Sequence, residues 1–564
     1  MKSSNLSTKG DDYQYLHIYK IFKKYFLFDS NKYEYLIKDI INVLMEFEKK
    51  GETIIDVDKV QINFELYNNN WPEKHIECIY NCQFDSLSNS PIVIQDRKIS
   101  WSKWITKLER VKKRLLNKMY MKAEENKIIP EKINNIEKIN FIFKYSNLVL
   151  LEGGPGTGKT TLVINLILNY LKDYSDLNIG LSAPTGKATA RIKEALNSKL
   201  TLSDFNAGII ECQTLHGWIY NYNNAAKFKL SLRDLDFFVI DECSMVDIDI
   251  IEMVLELINT DCKIILVGDA KQLPPINNCS VWNNIFENIE DNLFKECIVN
   301  LKKIYRNNGD IEKLSKLIFH KDQKLFNQKL KQISNSKDLS NVNFQLFNKK
   351  ELPNKLKELV NSFTAILKSK TIKLSEKKYI FDRNIENLLT YEKDLVLDIF
   401  ETLNSQLILC SRNTGLWGVK DVNSIIIRDS EPYDLLDLEE GLPIMCIENN
   451  NELGISNGDI GVLIGKNKSR RFLFRKFNKN NESVFALIDP SRLENVVPAI
   501  AVTIHKSQGS ESDKVLILWN KENNFNKDDY DPKEFKFFRD NYEKRLLYTG
   551  ITRAKKNLYI FYLD

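Results

Sequence analysis

Cysteine is sparse and shows no pairing pattern: nine residues, an odd number, are scattered through 564 with no leader segment ahead of them. That argues against a disulfide framework and fits reduced thiols in a cytoplasmic protein. The local cluster His75, Cys78 and Cys82 is a single Cys-x3-Cys with one histidine and no second pair. It reads as core cysteines on a helix rather than metal ligands. No apolar run approaches the length that a bilayer demands, which excludes membrane insertion. An excess of charge of one sign is also missing. Lys and Arg number 81 against 76 Asp and Glu, a net charge of +5, so a nucleic-acid partner needs a local basic groove rather than a globally basic surface. No internal repeat is visible. What remains is ordinary for a soluble globular protein, 43% hydrophobic and 28% charged, and too long for a single core. Three or four domains are expected.

The most informative segment is Gly153, Gly154, Pro155, Gly156, Thr157, Gly158, Lys159, Thr160 and Thr161. It follows the apolar run Leu148 to Leu151 and precedes Leu162 to Ile167, which is strand, glycine loop and helix in the order a phosphate-binding loop requires. The glycines let backbone N–H groups turn inward around phosphate oxygens, and the helix N-terminus adds its partial positive charge. Lys159 can reach the β- and γ-phosphates, and the Thr160 hydroxyl can ligate Mg²⁺. A nucleoside triphosphate, ATP with Mg²⁺, is therefore expected.

Around this loop the chain alternates short apolar strands with helical patterns. Ile179 to Ala183, Phe237 to Ile240 and Lys263 to Val267 predict a parallel sheet buried on both faces. A second α/β region begins near Ile298; its early part, Phe344 to Ile399, reads as helical and charged. Later strands are expected at Gln406 to Cys410, Ile500 to Ile504, Val515 to Leu518 and Leu558 to Phe561. A Gly/Asn-rich stretch of strands between them, with Asn457-Gly458-Asp459-Ile460-Gly461, predicts a small inserted β-barrel. The first section carries no nucleotide signature. It mixes amphipathic helices such as Tyr33 to Lys50 with strands near Thr53 to Val57 and Pro91 to Gln95, then a basic helix from Trp101 to Lys118. The expected organisation is an α+β amino-terminal domain over 1–127 and a P-loop domain over 128–297 with a small insertion at about 197–235. A second parallel-sheet domain over 298–564 follows, with its β insertion at about 442–493.

Asp241 and Glu242 end the strand Phe237 to Ile240. Beside a P-loop, Asp241 can hold Mg²⁺ directly or through its water, and Glu242 can orient and deprotonate the water that attacks the γ-phosphate. Gln272, in Gly268 to Pro275, can hydrogen-bond both a γ-phosphate oxygen and that water's network; a plain loop reading stays open for this segment alone. Arg306 and Arg553 lie far along the chain, where arginines delivered from a second domain would stabilise transition-state charge. Thr185 and Lys187, His216, and Thr503, His505 and Lys506 sit at strand ends and offer hydroxyls, amides and charge suited to single-strand phosphates. For Trp218, stacking on a base and burial in a core both fit.

Taken in order, GGPGTGKTT, APTGKATAR, TLHGW, DECSMVD, GDAKQLPP, YRN, NGDIG, TIHKSQGSE and LLYTGITRAKK resemble the superfamily 1 helicases, and most closely the RecD branch. The likeness covers about Ile133 to Leu563. It implies two RecA-like domains sandwiching ATP, an SH3-like insertion in the second, and 5′→3′ movement on DNA. Within the branch the chain is similar to the RecD subunits of exodeoxyribonuclease V. This implies RecB-like and RecC-like partner subunits, single-stranded DNA and duplex ends as substrates, and recombinational repair as the setting. The segment Ser90 to Ser100 with the basic helix after it is similar to the part of RecD that docks on RecC. No cluster of carboxylates plus lysine suits a DNA-cutting site, and the chain ends right after the last motif, so nuclease activity is expected of a partner. One departure concerns adenine reading. Ile136 falls where the family usually has a Gln, leaving Asn134 or Asn135 as substitutes, or a relaxed base preference. A second is the Asn after Arg306, where relatives often carry Gln, and little consequence is expected. A free-standing RecD-like helicase, a mainly structural or regulatory subunit, and an RNA helicase of the same superfamily stay open on motifs alone.

Overall fold

In the computed structural model the described residues are 17–24, 30–58, 71–82, 90–119, 133–174, 176–199, 208–222, 230–275, 279–286, 294–305, 309–320, 322–335, 341–381, 387–429, 433–450, 452–477, 483–520 and 541–563. Among them no helix is long and apolar enough to cross a membrane.

The amino-terminal section contains α1 (17–24), α2 (Ser30–Lys49), β1 (Ile54–Asp56), α3 (Glu73–Asn81), β2 (Ile92–Gln95), β3 (Lys98–Trp101) and α4 (Ser102–Met119). Its antiparallel sheet has the order β1-β3-β2, with Ile54 opposite Ser100 and Ile94 opposite Ile99. Asp96 and Arg97 both take positive φ, 47° and 58°, which is the backbone a tight two-residue hairpin turn requires. Along α4 the apolar residues Trp104, Leu108, Val111 and Leu115 recur at helical spacing and are all buried. His75 and Cys78 are buried on α3, and Cys82 lies buried just past its end. His75 Nε2 lies 3.0 Å from Asp39 Oδ2, so these residues belong to the core. No metal-binding cluster occurs among the described residues.

The first parallel sheet is assembled from α5 (Asn135–Ile142), β4 (Leu148–Gly153), α6 (Lys159–Asp173), β5 (Leu177–Ala183), α7 (Gly186–Asn197), β6 (Gly208–Thr214), α8 (Leu215–Tyr222), β7 (Phe237–Ile240), α9 (Ile248–Leu257), β8 (Lys263–Gly268), α10 (Val281–Phe286) and β9 (Ile298–Leu301). Six strands run in the order β6-β5-β7-β8-β4-β9. Every pairing in that sheet is parallel, Leu148 matching Ile264 and Ile179 matching Phe237. Apolar residues at successive positions, such as Leu148 to Leu151 and Phe237 to Ile240, are buried because helices cover both faces. Part of the small insertion expected near 197–235 lies outside the described residues.

The second region contains α11 (Asp310–Leu317), α12 (Gln323–Asn335), β10 (Val342–Phe347), α13 (Asn354–Ser375), α14 (Leu389–Ser405), β11 (Gln406–Cys410) and α15 (Val419–Ile427). Next come β12 (Pro443–Cys446), β13 (Ile460–Ile464), β14 (Arg471–Phe477), β15 (Ser483–Ile488) and β16 (Val496–Pro498), followed by β17 (Ala501–Thr503), β18 (Ser512–Asn520), α16 (Asn541–Ile551) and β19 (Ala554–Leu563). The parallel sheet has the order β10-β19-β18-β11-β17. Between β11 and β17 the inserted strands form a five-stranded antiparallel sheet, β15-β14-β13-β12-β16. Its last strand lies beyond Leu493. The stretch from Phe344 also opens inside a strand, β10, rather than a helix. The fold is thus α/β, with two RecA-like parallel sheets, an inserted antiparallel sheet in the second, and an α+β amino-terminal section.

Candidate nucleotide site between the two parallel sheets

The loop from β4 to α6 owes its shape to glycine. Gly156 and Gly158 take φ of 74° and 79°, a left-handed backbone that L side chains rarely adopt, and Gly158 caps α6. Thr157 Oγ1 donates to Gly154 O at 2.8 Å, closing the loop on itself. Lys159 opens α6 and donates back to the carbonyls of Gly153 and Gly154. Thr160 Oγ1 donates to Asp241 Oδ2 at 3.0 Å, which joins the loop to the end of β7. That hydroxyl–carboxylate pair is a hard-oxygen set of the kind Mg²⁺ takes alongside phosphate oxygens and water. The residues present therefore fit the ion.

Glu242 stands next to this pair with φ 52° and ψ 40°, a strained setting for a residue with a side chain. Its backbone N–H donates to Asp241 Oδ1 at 2.8 Å. Burial and the neighbouring Asp241 raise the Glu242 pKa; Lys159, Arg553 and Arg191 partly offset the rise. A carboxyl poised in this way accepts a proton more readily than a solvated one.

The second domain closes the cleft through α16 and the turn after it. Arg553 is buried, and its Nη2 donates to Gln272 Oε1 at 3.1 Å. Its Nε and Nη1 are held by the carbonyls of Thr549 and Ser510 at 3.0 and 3.3 Å. Tyr548 Oη donates to Asp269 Oδ2 at 3.0 Å, and Leu273 N donates to Thr549 Oγ1 at 3.2 Å. The loop Asp269–Leu273 of the first domain is thus bonded to residues almost three hundred positions later. Lys159, Thr160, Asp241, Glu242, Gln272 and Arg553 converge here; Arg306 lies outside the described residues.

Several neighbours were not singled out from sequence. Tyr305 is 69% exposed, yet its N–H donates to Gly156 O at 3.0 Å and its ring lies beside Gly158, 3.6 Å from where a Cβ would stand. An exposed aromatic fixed against a phosphate loop offers a stacking face for a base. Glu152, inside a buried strand, accepts from Ala270 N and from Trp282 Nε1, each at 3.0 Å. Burial and the nearby Asp269 push its carboxyl up to about 7. A charged residue in an otherwise apolar buried strand was the available signal for Glu152. For Tyr305 and Tyr548 it was an aromatic inside a motif.

The residues expected to meet a single strand lie at strand ends of both sheets. Thr185 Oγ1 is the N-cap acceptor for Ala188 N in α7, at 3.2 Å. Lys187, in the first turn of α7, is pushed down to about 8, mainly by burial. His216 is exposed on α8. Thr503 Oγ1 accepts from Lys506 N at 3.3 Å, and Lys506 is exposed. His505 Nε2 lies 2.9 Å from Tyr542 Oη, and burial pushes the ring down to about 4, so it is neutral near pH 7. The two sheets approach here: Gly509 stands 3.6 Å from Ala188, measured from its built Cβ. The inserted sheet reaches the same helix through Arg475 Nη2 and Glu194 Oε1, 2.5 Å apart. His216 is not drawn into these contacts. Trp218 is buried and donates to Leu181 O at 3.3 Å, which decides for the core. Asn134 caps α5, its side chain accepting from Glu137 N at 3.0 Å, while Ile136 packs partly buried against the core.

A glycine phosphate loop, a hydroxyl–carboxylate ion pocket, and an arginine brought in from a second parallel sheet define a two-domain P-loop NTPase. The family model described as an AAA domain matches residues 138–278, and the one described as a UvrD-like helicase C-terminal domain matches residues 474–564. The RecBCD enzyme subunit RecD of Buchnera aphidicola subsp. Acyrthosiphon pisum is 30% identical over 603 residues, covering 96% of this chain and 88% of the relative. The RecD subunit of the Schizaphis graminum subspecies is 27% identical, covering 93% and 92%. Among solved structures, Bacteroides Pif1 bound to ssDNA superposes with a TM-score of 0.40 at 17% identity, over 77% of this chain and 92% of that one. The chain belongs to the RecD family of superfamily 1 helicases.

Proposed function

We propose that the chain is an ATP-driven DNA helicase that moves 5′→3′ on single-stranded DNA, as the motor subunit of a RecBCD-type complex acting on double-strand ends. RecB-like and RecC-like chains are its partners in this reading, and a partner supplies the nuclease. The names carried by its relatives support the subunit assignment. The observation that carries the motor reading is the bond from Arg553 to Gln272 across the cleft.

In the reaction, the loop N–H groups of 153–160 and Lys159 hold the triphosphate, and Tyr305 stacks on the base. Thr160 and Asp241 would hold Mg²⁺, which would supply positive charge to offset that of the triphosphate. Glu242 takes a proton from the attacking water. Gln272 orients that water and senses the γ-phosphate. Arg553 offers its guanidinium to the charge that develops, and Arg306 has the same role in this reading. Closing and opening of the cleft then moves the Thr185, Lys187 and His216 side against the Thr503, His505 and Lys506 side, which steps the strand.

The test is ATP hydrolysis by the purified chain with and without single-stranded DNA, followed by unwinding of 5′- and 3′-tailed duplexes. Strong DNA stimulation with unwinding from the 5′ tail alone is expected. Hydrolysis that ignores DNA refutes the motor; unwinding from the 3′ tail refutes the direction.

A further inference from the structure

The amino-terminal section touches the motor beside two of its working loops, and neither contact belongs to the P-loop machinery itself. The first contact is a turn. α2 ends in a Schellman arrangement: Glu52 N donates to Phe47 O at 3.0 Å and Gly51 N to Glu48 O at 2.9 Å, with Gly51 at φ 74°. Gly51 is also flush against the loop that carries Gln272. A Cβ built on it would stand 2.7 Å from both Pro274 Cγ and Pro275 O. Two separate demands therefore meet at one residue, a left-handed backbone and a bare Cα surface.

The second contact is a ladder of charge. On α4, Lys107, Arg110 and Arg114 pair with Asp249, Glu252 and Glu256 on α9; the last two pairs measure 2.9 and 3.3 Å. The spacing matches on both helices, which aligns them along one face. Lys118 at the end of α4 donates to the carbonyls of Asn259, Thr260 and Cys262 and ties down the turn after α9. α9 begins at Ile248, a few residues past Glu242. α4 thus lies along α9 with its end tied to the turn by Lys118, and the Gly51 turn is what bears on the Gln272 loop.

We infer that the Gly51 turn is a positioning contact for hydrolysis: it backs the Pro274–Pro275 corner and so holds Gln272 within reach of Arg553. The inference rests on the role given to Gln272 in the proposed mechanism. Displacing the amino-terminal section would move Gln272 without touching the nucleotide, so it would act on kcat and spare nucleotide affinity.

Gly51→Asn and Gly51→Ala separate the contact from the turn. Both add a Cβ, whereas Asn tolerates the left-handed backbone and Ala does not. Through the contact, both lower DNA-stimulated kcat by about tenfold with KM for ATP within about twofold, since small misplacements of catalytic groups are costly. Thermal melting falls further for Ala than for Asn. A Gly51→Asn chain with wild-type kcat overturns the inference. If neither variant folds, Pro274→Ala decides, because it removes the ring without altering the turn; lowered kcat supports the contact and wild-type kcat overturns it. Gln272→Ala runs beside them. Unchanged kcat there sinks the role of Gln272, and the inference with it, whereas loss there with wild-type kcat in Gly51→Asn sinks the positioning contact alone.

Discussion

At the carboxyl ends of the first parallel sheet, a glycine-shaped backbone loop faces the cleft together with the side chains of Lys159, Thr160 and Asp241. The second sheet presents side chains. In the first, Gly156 and Gly158 turn peptide N–H groups inward and Thr160 meets Asp241. In the second, Arg553, Tyr548 and Thr549 project across to Gln272, Asp269 and Leu273. The same architecture thus divides the work. In the proposed mechanism, peptide groups preorganised by one sheet bind phosphate without the partner domain, while groups delivered by the other act only when the cleft is shut. Binding and hydrolysis are therefore separable by substitution.

Lys159→Gln gives the largest expected effect, loss of hydrolysis by about a thousandfold or more with melting unchanged. An unfolded variant would make that lysine a structural clamp on the Gly153 and Gly154 carbonyls instead. Arg553→Ala sharpens the comparison most, because it should cost about a thousandfold in kcat while leaving the Kd of a fluorescent ATP analogue within a few-fold. Equal loss of binding and turnover would end the division of labour between the sheets. Glu242→Gln is expected to lower kcat by about a hundredfold, again with nucleotide still bound.

The pH dependence of stability is a smaller effect and sits at the contact of the two halves. Burial raises Asp459, which lies near Lys187, from 3.8 to about 6, and Glu152 from 4.5 to about 7. Each folded carboxyl holds its proton more tightly than the unfolded one. Their contributions are therefore most favourable below the unfolded values, decline as pH rises from about 4 to about 7, and are flat beyond, on the order of 1–3 kcal/mol each. Denaturant melts at pH 4.5 and 7.5 should show a shallower decline for Asp459→Asn than for the parent. A decline of the same depth would remove Asp459 from the account. The smallest effect concerns the base. With Ile136 partly buried against the core and Asn134 used as a cap, GTP should be hydrolysed within about tenfold of ATP, since a site without a dedicated hydrogen-bonding pair discriminates weakly. Strong ATP preference would point to another adenine contact.

Much of this was legible along the chain, for a local reason. The P-loop and the Asp241-Glu242 pair are contiguous, and strand, glycine turn and helix each leave a mark within a few residues. β10 was not legible. Its alternating Val342, Phe344 and Leu346 are flanked by charged helical sequence, and it forms an edge that pairs only with β19. Tyr305 against Gly158, Tyr548 on Asp269 and Glu152 between Ala270 and Trp282 were equally hidden, because each depends on where a distant element comes to rest. Thr185 shows the converse: its hydroxyl was expected to face a strand of DNA, and it also serves as the helix cap that its position before Gly186 requires.

By itself, the order of residues determined that the chain carries a glycine-rich loop between a strand and a helix, a carboxylate pair at the end of a neighbouring strand and a buried parallel sheet, because glycine conformation and apolar periodicity act over one or two turns of backbone. Only the tertiary structure decided which arginine meets which glutamine, and that Gly51 leans on Pro274. Those contacts join positions hundreds of residues apart, and they exist only once the packed cores on either side of the cleft have fixed the distance between them.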